Sequence, residues 1–333
     1  MSLTSLLKDK HSQELRDKLK TEFPRPSFGL KTWIKAPLFA NDCRIVGTAF
    51  DYLMRFHLQF INPETFIQRE NWVADIAFTR LTNYLSGKKG MEIAIGSKKD
   101  KIVNANLLKS IIAKQYKEAK KNYLKYIGNG QITDELAKNA LFLAKLDVYY
   151  RKAIIDKNFD FYDPWDIVDL KGLIKLVDNN QFLAAKQCYL NPTFGKGSSL
   201  VSGADADLII DNTLIEIKTT GDLKLNRKDL NQLLGYYILS LIGGVNGKPK
   251  DKTIENIGIY FSRHGILWTI PLSKFGNKQK FNNFKKWFVE YVERPKKIML
   301  SQEQIELRRS EIRALMISQK VWSQEEIEDW MGF

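Results

Sequence analysis

The sequence predicts an α/β protein with a mixed central sheet flanked by helices. Two pairs of apolar segments, at 203–218 and 257–270, each surround a polar turn, which is typical of β-hairpins. Stretches with apolar residues at helical spacing lie before, between and after these hairpins. With 333 residues, of which 44% are hydrophobic, the chain has enough material for the core of one large domain or two small ones.

The helices are predicted from local signals. Three prolines interrupt residues 1–45, and the first helical pattern runs from 47 to 60. Helix formers then dominate up to the first hairpin, which predicts a helical insertion or lobe. The further predicted helices are 104–127, 134–155, one that begins at Asp163-Pro164 with a cap and a first-turn proline, and an amphipathic helix at 282–292.

These elements divide the chain into four segments. A loop at 191–199 leads into the first hairpin and is expected to border the functional site. Two capping-box sequences, Ser301 with Gln304 and Ser323 with Glu326, predict that the tail is helical. The segments are 1–71 with the first core helix, 72–190 with the helical block, 191–298 with the two hairpins, and 299–333 with the C-terminal helices.

Composition indicates a basic protein whose partner carries negative charge. The formal net charge is +14 and the isoelectric point is about 9.5, which favours binding to a polyanion. No apolar run is long enough to span a bilayer, and the N-terminus becomes charged before a signal-peptide core develops. Because only two cysteines occur, we expect no disulfide framework and a reducing cytoplasmic location. The lack of a long apolar run predicts that the protein has no membrane partner.

The first hairpin carries the most informative group of charged residues. With a two-residue turn at 211–212, Asp207 lies opposite Glu216. In the same register Asp205 lies opposite Lys218, and all four polar groups share one face of the sheet. Like charges that face each other destabilise a sheet unless a cation lies between them, and Mg²⁺ takes carboxylate ligands. The alternative is an exposed face with a weak Asp205–Lys218 pair, but the apolar neighbours favour buried strands.

These residues resemble a known superfamily of nucleases. Asp207, followed on the next strand by Glu216-Ile217-Lys218, resembles the signature of the PD-(D/E)XK nuclease superfamily. Gln232 and Tyr236 lie one turn apart on the helix predicted next. Their spacing resembles the Gln-x-x-x-Tyr motif of the RecB-like branch of that superfamily.

A third, weaker element of the resemblance lies in the first predicted helix. The segment 47–53 is similar to the Gly-Thr-x-x-His-x-x-Leu opening helix of the RecB-like branch, with Asp51 in place of the histidine. The clear part of the resemblance covers 203–237. It implies a restriction-endonuclease-like core, a mixed central sheet flanked by helices, to which the helical block is added as an insertion.

The resemblance implies metal-dependent hydrolysis of phosphodiester bonds, with DNA favoured over RNA. Asp207 and Glu216 are the implied ligands of Mg²⁺ or Mn²⁺, with the Ile217 carbonyl as a third. Asp51 is a further candidate ligand, with local capping or pairing with Arg55 one turn on as the alternative. Lys218 is expected to contact the attacking water or the scissile phosphate. Some RecB-like nucleases carry a four-cysteine iron–sulfur cluster, and two cysteines are too few to build one.

Two assignments keep an alternative. Gln232 and Tyr236 are expected to orient the lysine or touch the nucleic-acid backbone, whereas ordinary helix packing explains them equally well without the hairpin. Asp205 competes with Asp207 for the ligand role. We prefer Asp207 because it faces Glu216 directly and starts the apolar strand.

Basic residues near the hairpin are candidates for binding nucleic acid. Lys224, Arg227 and Lys228 precede the helix that carries the Gln-x-x-x-Tyr motif and are placed to bind phosphates. The segment 114–126 interleaves lysines with tyrosines, which suits phosphate binding and base stacking. For this second segment we favour a solvated lysine face with its tyrosines packed inward.

Two other functions remain open. The first is a non-catalytic nucleic-acid-binding protein on a nuclease fold, which the presence of Asp207, Glu216 and Lys218 disfavours. The second is a structural or regulatory subunit that binds a protein partner through its C-terminal helices, where 322–333 places several large apolar side chains on a short helix. The sequence leaves open DNA or RNA, exonuclease or endonuclease, sequence preference, pathway and oligomeric state.

Overall fold

The computed structural model describes residues 2–40, 42–68, 72–247, 254–294, 306 and 309–311. These residues fall into two units, one up to Val292 and another from Glu293 onward, and the candidate site lies entirely in the first. Both predicted capping boxes of the tail and the segment 322–333 lie outside the described residues.

Ten α-helices and eight strands form within the described ranges. The helices are α1 Leu3–Lys8, α2 Gln13–Glu22, α3 Cys43–Ile61, α4 Val73–Ser86, α5 Ala105–Asn129, α6 Asp134–Lys152, α7 Pro164–Lys175, α8 Lys196–Leu200, α9 Arg227–Gly243 and α10 Lys278–Glu293. The strands are β1 Phe66–Gln68, β2 Glu92–Ile95, β3 Lys101–Asn104, β4 Cys188–Leu190, β5 Leu208–Ile210, β6 Thr213–Lys218, β7 Asn256–Phe261 and β8 Ile266–Pro271.

Six of the strands form one mixed sheet, in the order β1-β4-β5-β6-β7-β8. Strands β4, β5 and β6 form an antiparallel meander, and the two-residue turn predicted at 211–212 joins β5 to β6. Strand β7 returns parallel to β6 through helix α9, as a parallel pair requires a crossover, and β8 pairs antiparallel with β7. The predicted mixed central sheet flanked by helices is confirmed.

Alternating side chains divide the sheet between two hydrophobic cores. Along β5, Leu208 and Ile210 face the core built with α3 to α7, whereas Ile209 faces the core built with α1, α2, α9 and α10. In β6, Leu214 faces the second core and Ile215 the first. Burying such a side chain contributes about 1.5–3 kcal/mol, and a slip of one residue would exchange the two faces. The register of the two strands that carry the predicted site is therefore fixed by packing.

The helices predicted before residue 293 are present, with ends that are set by their caps. The Asn104 side chain accepts the hydrogen bonds that cap α5, and Asp163 caps α7 just before Pro164, as the sequence predicts. Helix α6 ends at Lys152, three residues before its predicted end. There Ala153 adopts left-handed backbone, with a φ of 53°.

The strands β1 to β4 and the helix α8 were not expected from the sequence. The expected loop at 191–199 contains part of α8, which lies so close to α9 that a Cβ on Gly197 would come 2.3 Å from the Leu239 carbonyl oxygen. Glycine at position 197 permits this close contact between α8 and α9. In the sequence alone, a glycine at a helix contact looks the same as a glycine in a loop. Within the helical block, β2 and β3 pair as a small antiparallel hairpin that was not predicted. Strands of four residues give too short an alternation to detect.

A buried ion pair joins the helical block to the second hairpin. Arg263, in the turn between β7 and β8, is fully buried and donates two hydrogen bonds of 2.7 Å to the Asp169 carboxylate of α7. It also donates to the carbonyls of Ala36 and Pro37, at 3.2 and 3.3 Å. The neighbouring His264 is buried, and its ring nitrogens face two backbone carbonyls. This turn therefore anchors the N-terminal segment and α7 to the sheet.

We expect Asp169→Asn to destabilise the fold strongly. The substitution leaves the Arg263 guanidinium buried without its counter-charge, and the loss of one partner of a buried pair costs about 3–5 kcal/mol. Urea denaturation should show a lower midpoint with an unchanged slope. Asp100→Asn is the control, because it removes a largely exposed carboxylate paired with Lys157 and should leave the midpoint unchanged. Equal midpoints for both variants would contradict the assigned role.

Candidate active site

The candidate site lies beside the first residue of strand β5. Strand β6 continues to Lys218, but β5 starts only at Leu208, so the last residues of β6 have no neighbouring strand on that side. The preceding chain pairs with 192–193 instead. The Asp207 carboxylate takes the open position and accepts a hydrogen bond of 2.6 Å from the N–H of Ile217.

This arrangement corrects the cross-strand pairs expected from the sequence. Asp207 does not pair with Glu216 in the ladder, which stops one residue earlier; its side chain instead reaches the backbone of β6. Asp205 is exposed and forms an isolated bridge with Thr193, so the expected position opposite Lys218 is wrong. Its exposure leaves Asp207 as the better ligand candidate of the two.

Four of the predicted residues form one hydrogen-bonded network. The Lys218 ammonium donates to Glu216 Oε1 at 3.0 Å and to Gln232 Oε1 at 3.3 Å. Gln232 Nε2 donates to Glu216 Oε1 at 2.8 Å and to the Tyr236 hydroxyl at 3.0 Å. A carboxylate oxygen of Asp229 lies 3.6 Å from the ammonium. Helix α9 thus places two side chains, one turn apart, against the end of β6.

The lysine in this network stays positively charged. Burial lowers the pKa of the Lys218 ammonium, but three neighbouring carboxylates, that of Glu216 first, more than offset burial and hold the pKa above its ordinary value. A lysine that acts as a base near neutral pH needs a depressed pKa. Lys218 is therefore suited to neutralise negative charge rather than to accept a proton.

Three carboxylates share this part of the interior. Burial, and then the charge of Asp207, raises the pKa of Glu216 to about 8. The same two causes raise the pKa of Asp51, a half-buried residue of α3, to about 8. Burial also raises the pKa of Asp207, although its backbone hydrogen bond opposes this. Helix α3 passes close to the end of β6, since a Cβ on Gly47 would lie 3.8 Å from Thr219, so the third predicted element meets the other two.

Arg55 belongs to this cluster and was not predicted. It lies half-buried one turn after Asp51, and its charge opposes the raised pKa values of Asp51 and Asp207. The guanidinium stacks 4.8 Å from the ring centre of Tyr52, whose hydroxyl donates to Asp147 at 2.5 Å. The Arg55 guanidinium makes no hydrogen bond or ion pair with any residue that the structure describes. A half-buried guanidinium with unused donors is placed to bind an anion. From sequence, an arginine four residues after an aspartate reads equally well as a local pair.

The donor set fits a hard divalent cation, although its oxygens do not converge. Across the described residues, no group of three or more histidine, cysteine or carboxylate side chains is arranged to hold a metal ion. Glu216 Oε2, however, is buried and has no hydrogen-bond partner in that part of the chain. Such an oxygen is costly, and a cation shared with Asp51 and Asp207 would relieve it. The Ile217 carbonyl points to the same open edge as its N–H and offers a fourth oxygen.

The predicted phosphate-binding residues have different surroundings. Lys224 and Lys228 are exposed and form no ion pair within the described ranges. The Arg227 guanidinium donates to the carbonyls of Leu19 and Phe23, at 2.7 and 2.6 Å, and burial lowers its pKa to about 10. We therefore assign Arg227 to holding α2 against α9, and keep only the two lysines as phosphate candidates.

The lysine- and tyrosine-rich segment 114–126 lies on α5 with its aromatic rings turned inward. Tyr116 donates to Asp75 at 2.6 Å, and Tyr123 donates to Gln59 at 2.5 Å. Tyr126 is buried against α3. These rings are not available to stack on bases, as the favoured interpretation of this segment anticipates.

No family model, curated protein or solved structure matches the chain. No helix among the described residues is long and apolar enough to cross a membrane. The chemistry of the site is therefore the basis for assigning a function.

We expect the metal-free protein to lose stability as the pH rises from about 4.5 to about 8. Folded Glu216 and Asp51 keep their protons up to about pH 8, whereas the unfolded chain loses them near 4.5 and 3.8. The folded state binds more protons in this window, so the free energy of unfolding falls as the pH rises. Mg²⁺ competes with protons for the same oxygens, and it should therefore stabilise the protein more at high pH than at low pH.

Thermal unfolding at both ends of this window, in EDTA and in Mg²⁺, measures the effect. The control is the double variant Glu216→Gln, Asp51→Asn, which removes two of the three carboxylates with raised pKa values and should weaken the pH dependence. Equal stabilisation by Mg²⁺ at both pH values, or an unchanged pH dependence in the double variant, would contradict the assigned electrostatics.

Proposed function

We propose that this protein is a nuclease that requires Mg²⁺ or Mn²⁺ and hydrolyses phosphodiester bonds, with DNA as the favoured substrate. The observation that carries the proposal is the network of Lys218, Glu216 and Gln232 beside the half-buried carboxylates of Asp207 and Asp51. Carboxylates supply oxygen ligands for a divalent ion, and the charged lysine supplies a cation for a phosphate. The net charge of +14 supports a polyanionic substrate.

The residues around the network have separate roles in this proposal. Asp207, Glu216, Asp51 and the Ile217 carbonyl would hold the metal ion. A bound ion polarises the phosphate and activates a water molecule. Lys218 donates to a phosphate oxygen or to the attacking water, since its ammonium remains charged.

Gln232 and Tyr236 are positioning residues. The Gln232 carbonyl accepts from the Lys218 ammonium, and its amide nitrogen donates to Glu216. The Tyr236 hydroxyl accepts from the same amide and fixes its orientation. Tyr236 is itself buried and stacks on Phe194, so the orientation is set by the core rather than by solvent.

A restriction-endonuclease-like core is part of the same proposal. The order of elements supports it: the opening helix α3, the β5–β6 hairpin, helix α9 and the parallel strand β7, with the site at the end of β6. Helices α4 to α7 are then the insertion. A cytoplasmic location is also proposed, and the two free cysteines, Cys43 and Cys188, support it.

A non-catalytic nucleic-acid-binding protein on the same fold is the second candidate. One observation favours it, namely that the carboxylate oxygens do not converge on a point within the described residues. Against it, Glu216 Oε2 remains buried without a partner. A protein without chemistry at this position would gain stability by replacing buried acids with apolar side chains. Metal-dependent cleavage distinguishes the two candidates.

Cleavage should require both a divalent metal and Lys218. The protein should cut DNA in Mg²⁺ or Mn²⁺ and not in excess EDTA. Lys218→Ala should slow cleavage by at least about 100-fold, because it removes the cation aimed at the developing charge. Affinity for DNA, measured in EDTA, should change little, since one lysine is a small part of a binding energy shared by many contacts.

The matched control for this variant is Lys88→Ala, which removes an exposed lysine from the turn after α4. It should cleave at the wild-type rate. Cleavage that continues unchanged in EDTA, or a Lys218→Ala variant as fast as Lys88→Ala, would overturn the proposed function.

We expect Arg55→Gln to slow cleavage by roughly 10²–10³-fold if its guanidinium contacts the phosphate. Arg55→Lys should recover part of the loss, because it keeps the charge without the paired donors. Single-turnover rates at saturating Mg²⁺ measure both variants. Arg80→Gln is the matched control, since Arg80 also stacks 4.8 Å from a tyrosine ring, that of Tyr150, but is exposed on α4. A wild-type rate for Arg55→Gln would assign Arg55 to structure alone.

A further inference from the structure

A pocket of about 570 Å³ opens beside the candidate site. Lys218, Gln232 and the first turn of α9 line it. Residues of α1 and α2, which the sequence resemblance does not cover, line it as well. The pocket therefore joins the proposed catalytic network to the N-terminal helices of the chain.

Arginines fix the walls of this pocket in place. Arg227 at the start of α9 donates to two carbonyls at the end of α2. Arg16 of α2 donates to the Leu7 carbonyl at 3.2 Å and to that of Asp9 at 2.5 Å. Since each guanidinium bridges two segments, the shape of the pocket is maintained by main-chain contacts. Both guanidinium groups are engaged in these contacts, so neither is counted among the free charges of the pocket.

Three exposed lysines from three different segments converge on the pocket. They are Lys8 at the end of α1, Lys20 on α2 and Lys228 in the first turn of α9. None of the three forms an ion pair with a residue that the structure describes. Two acids, Asp17 and Asp229, also line the pocket, and Asp229 is engaged with Lys218. The unpaired charge of the pocket is therefore predominantly positive.

We propose that this pocket binds the phosphates of a single nucleic-acid strand next to the bond that is cut. The proposal rests on the proposed nuclease function and specifies the path of its substrate. The volume is that of a small-ligand site, so it fits a short stretch of one strand rather than the width of a duplex. Flexible lysines suit such a strand, because they follow phosphates without reading sequence. The strand then runs from Lys218 along α9 toward α1 and α2.

The test measures binding of a labelled single-stranded oligothymidine in EDTA at several salt concentrations. The double variant Lys8→Gln, Lys20→Gln removes two charges from the pocket wall. Each phosphate contact on a single strand contributes about 0.7 to the slope of log affinity against log salt. We expect the slope to become shallower by roughly 1.4, with weaker binding at low salt.

The matched control is the double variant Lys88→Gln, Lys89→Gln, which removes the same charge from an exposed turn. It should leave the slope unchanged, and thermal unfolding of both variants checks that they fold. Equal slopes for the two double variants would contradict the proposal that the pocket binds a nucleic-acid strand. A wild-type protein that binds no oligonucleotide would also contradict it, and an acidic protein segment would then be the better candidate ligand.

Failure of the pocket and failure of the nuclease function give different results. A shallower slope in the pocket variant supports strand binding in the pocket, whether or not the wild-type protein cleaves nucleic acid. A wild-type protein that cleaves nothing in any divalent metal contradicts only the nuclease function. Metal-dependent cleavage together with an unchanged slope in the pocket variant overturns the pocket and leaves the nuclease function standing.

Discussion

Strand β5 begins only at Leu208, and this late start determines what the neighbouring strand can do. The N–H of Ile217 has no strand partner there, and the Asp207 carboxylate replaces it at 2.6 Å. An unpaired buried N–H costs about 1–3 kcal/mol, so the backbone itself holds the carboxylate in position. A β5 longer by two residues would pair Ile217 in the ladder and close the edge at which the site lies. The site is thus a consequence of where hydrogen bonding in the sheet stops.

At the same open edge, side chains from helices on opposite faces of the sheet come close together. Helix α3 belongs to one hydrophobic core and helix α9 to the other, yet Asp51 and Gln232 both reach the end of β6. The carboxylates are therefore positioned by separate cores, which keeps them close although they repel one another. Without a cation this closeness reduces stability, and proteins commonly retain such groups where function requires them.

Local features were predictable from the sequence, whereas contacts between distant segments were not. The turn at 211–212 and the one-turn spacing of Gln232 and Tyr236 depend only on neighbouring residues, and both are present. The expected position of Asp205 was wrong because the strand was assumed to continue. Where it stops is decided by pairing with 192–193, which no strand pattern reveals. Arg55 was missed because only the folded chain shows that its guanidinium has no hydrogen-bond or ion-pair partner among the described residues.

The positive charges of the chain divide into those that hold the fold and those that remain free. Arg227 and Arg263 donate to main-chain carbonyls, and Arg263 also to a buried carboxylate, which suits a planar group with several donors. The three lysines around the pocket are exposed instead and form no ion pair with a described residue. A net charge of +14 therefore overstates what a ligand encounters, because part of it is already used inside the fold. Charge counting indicated a polyanionic partner, but only the folded chain separates the structural cations from those that converge beside Lys218.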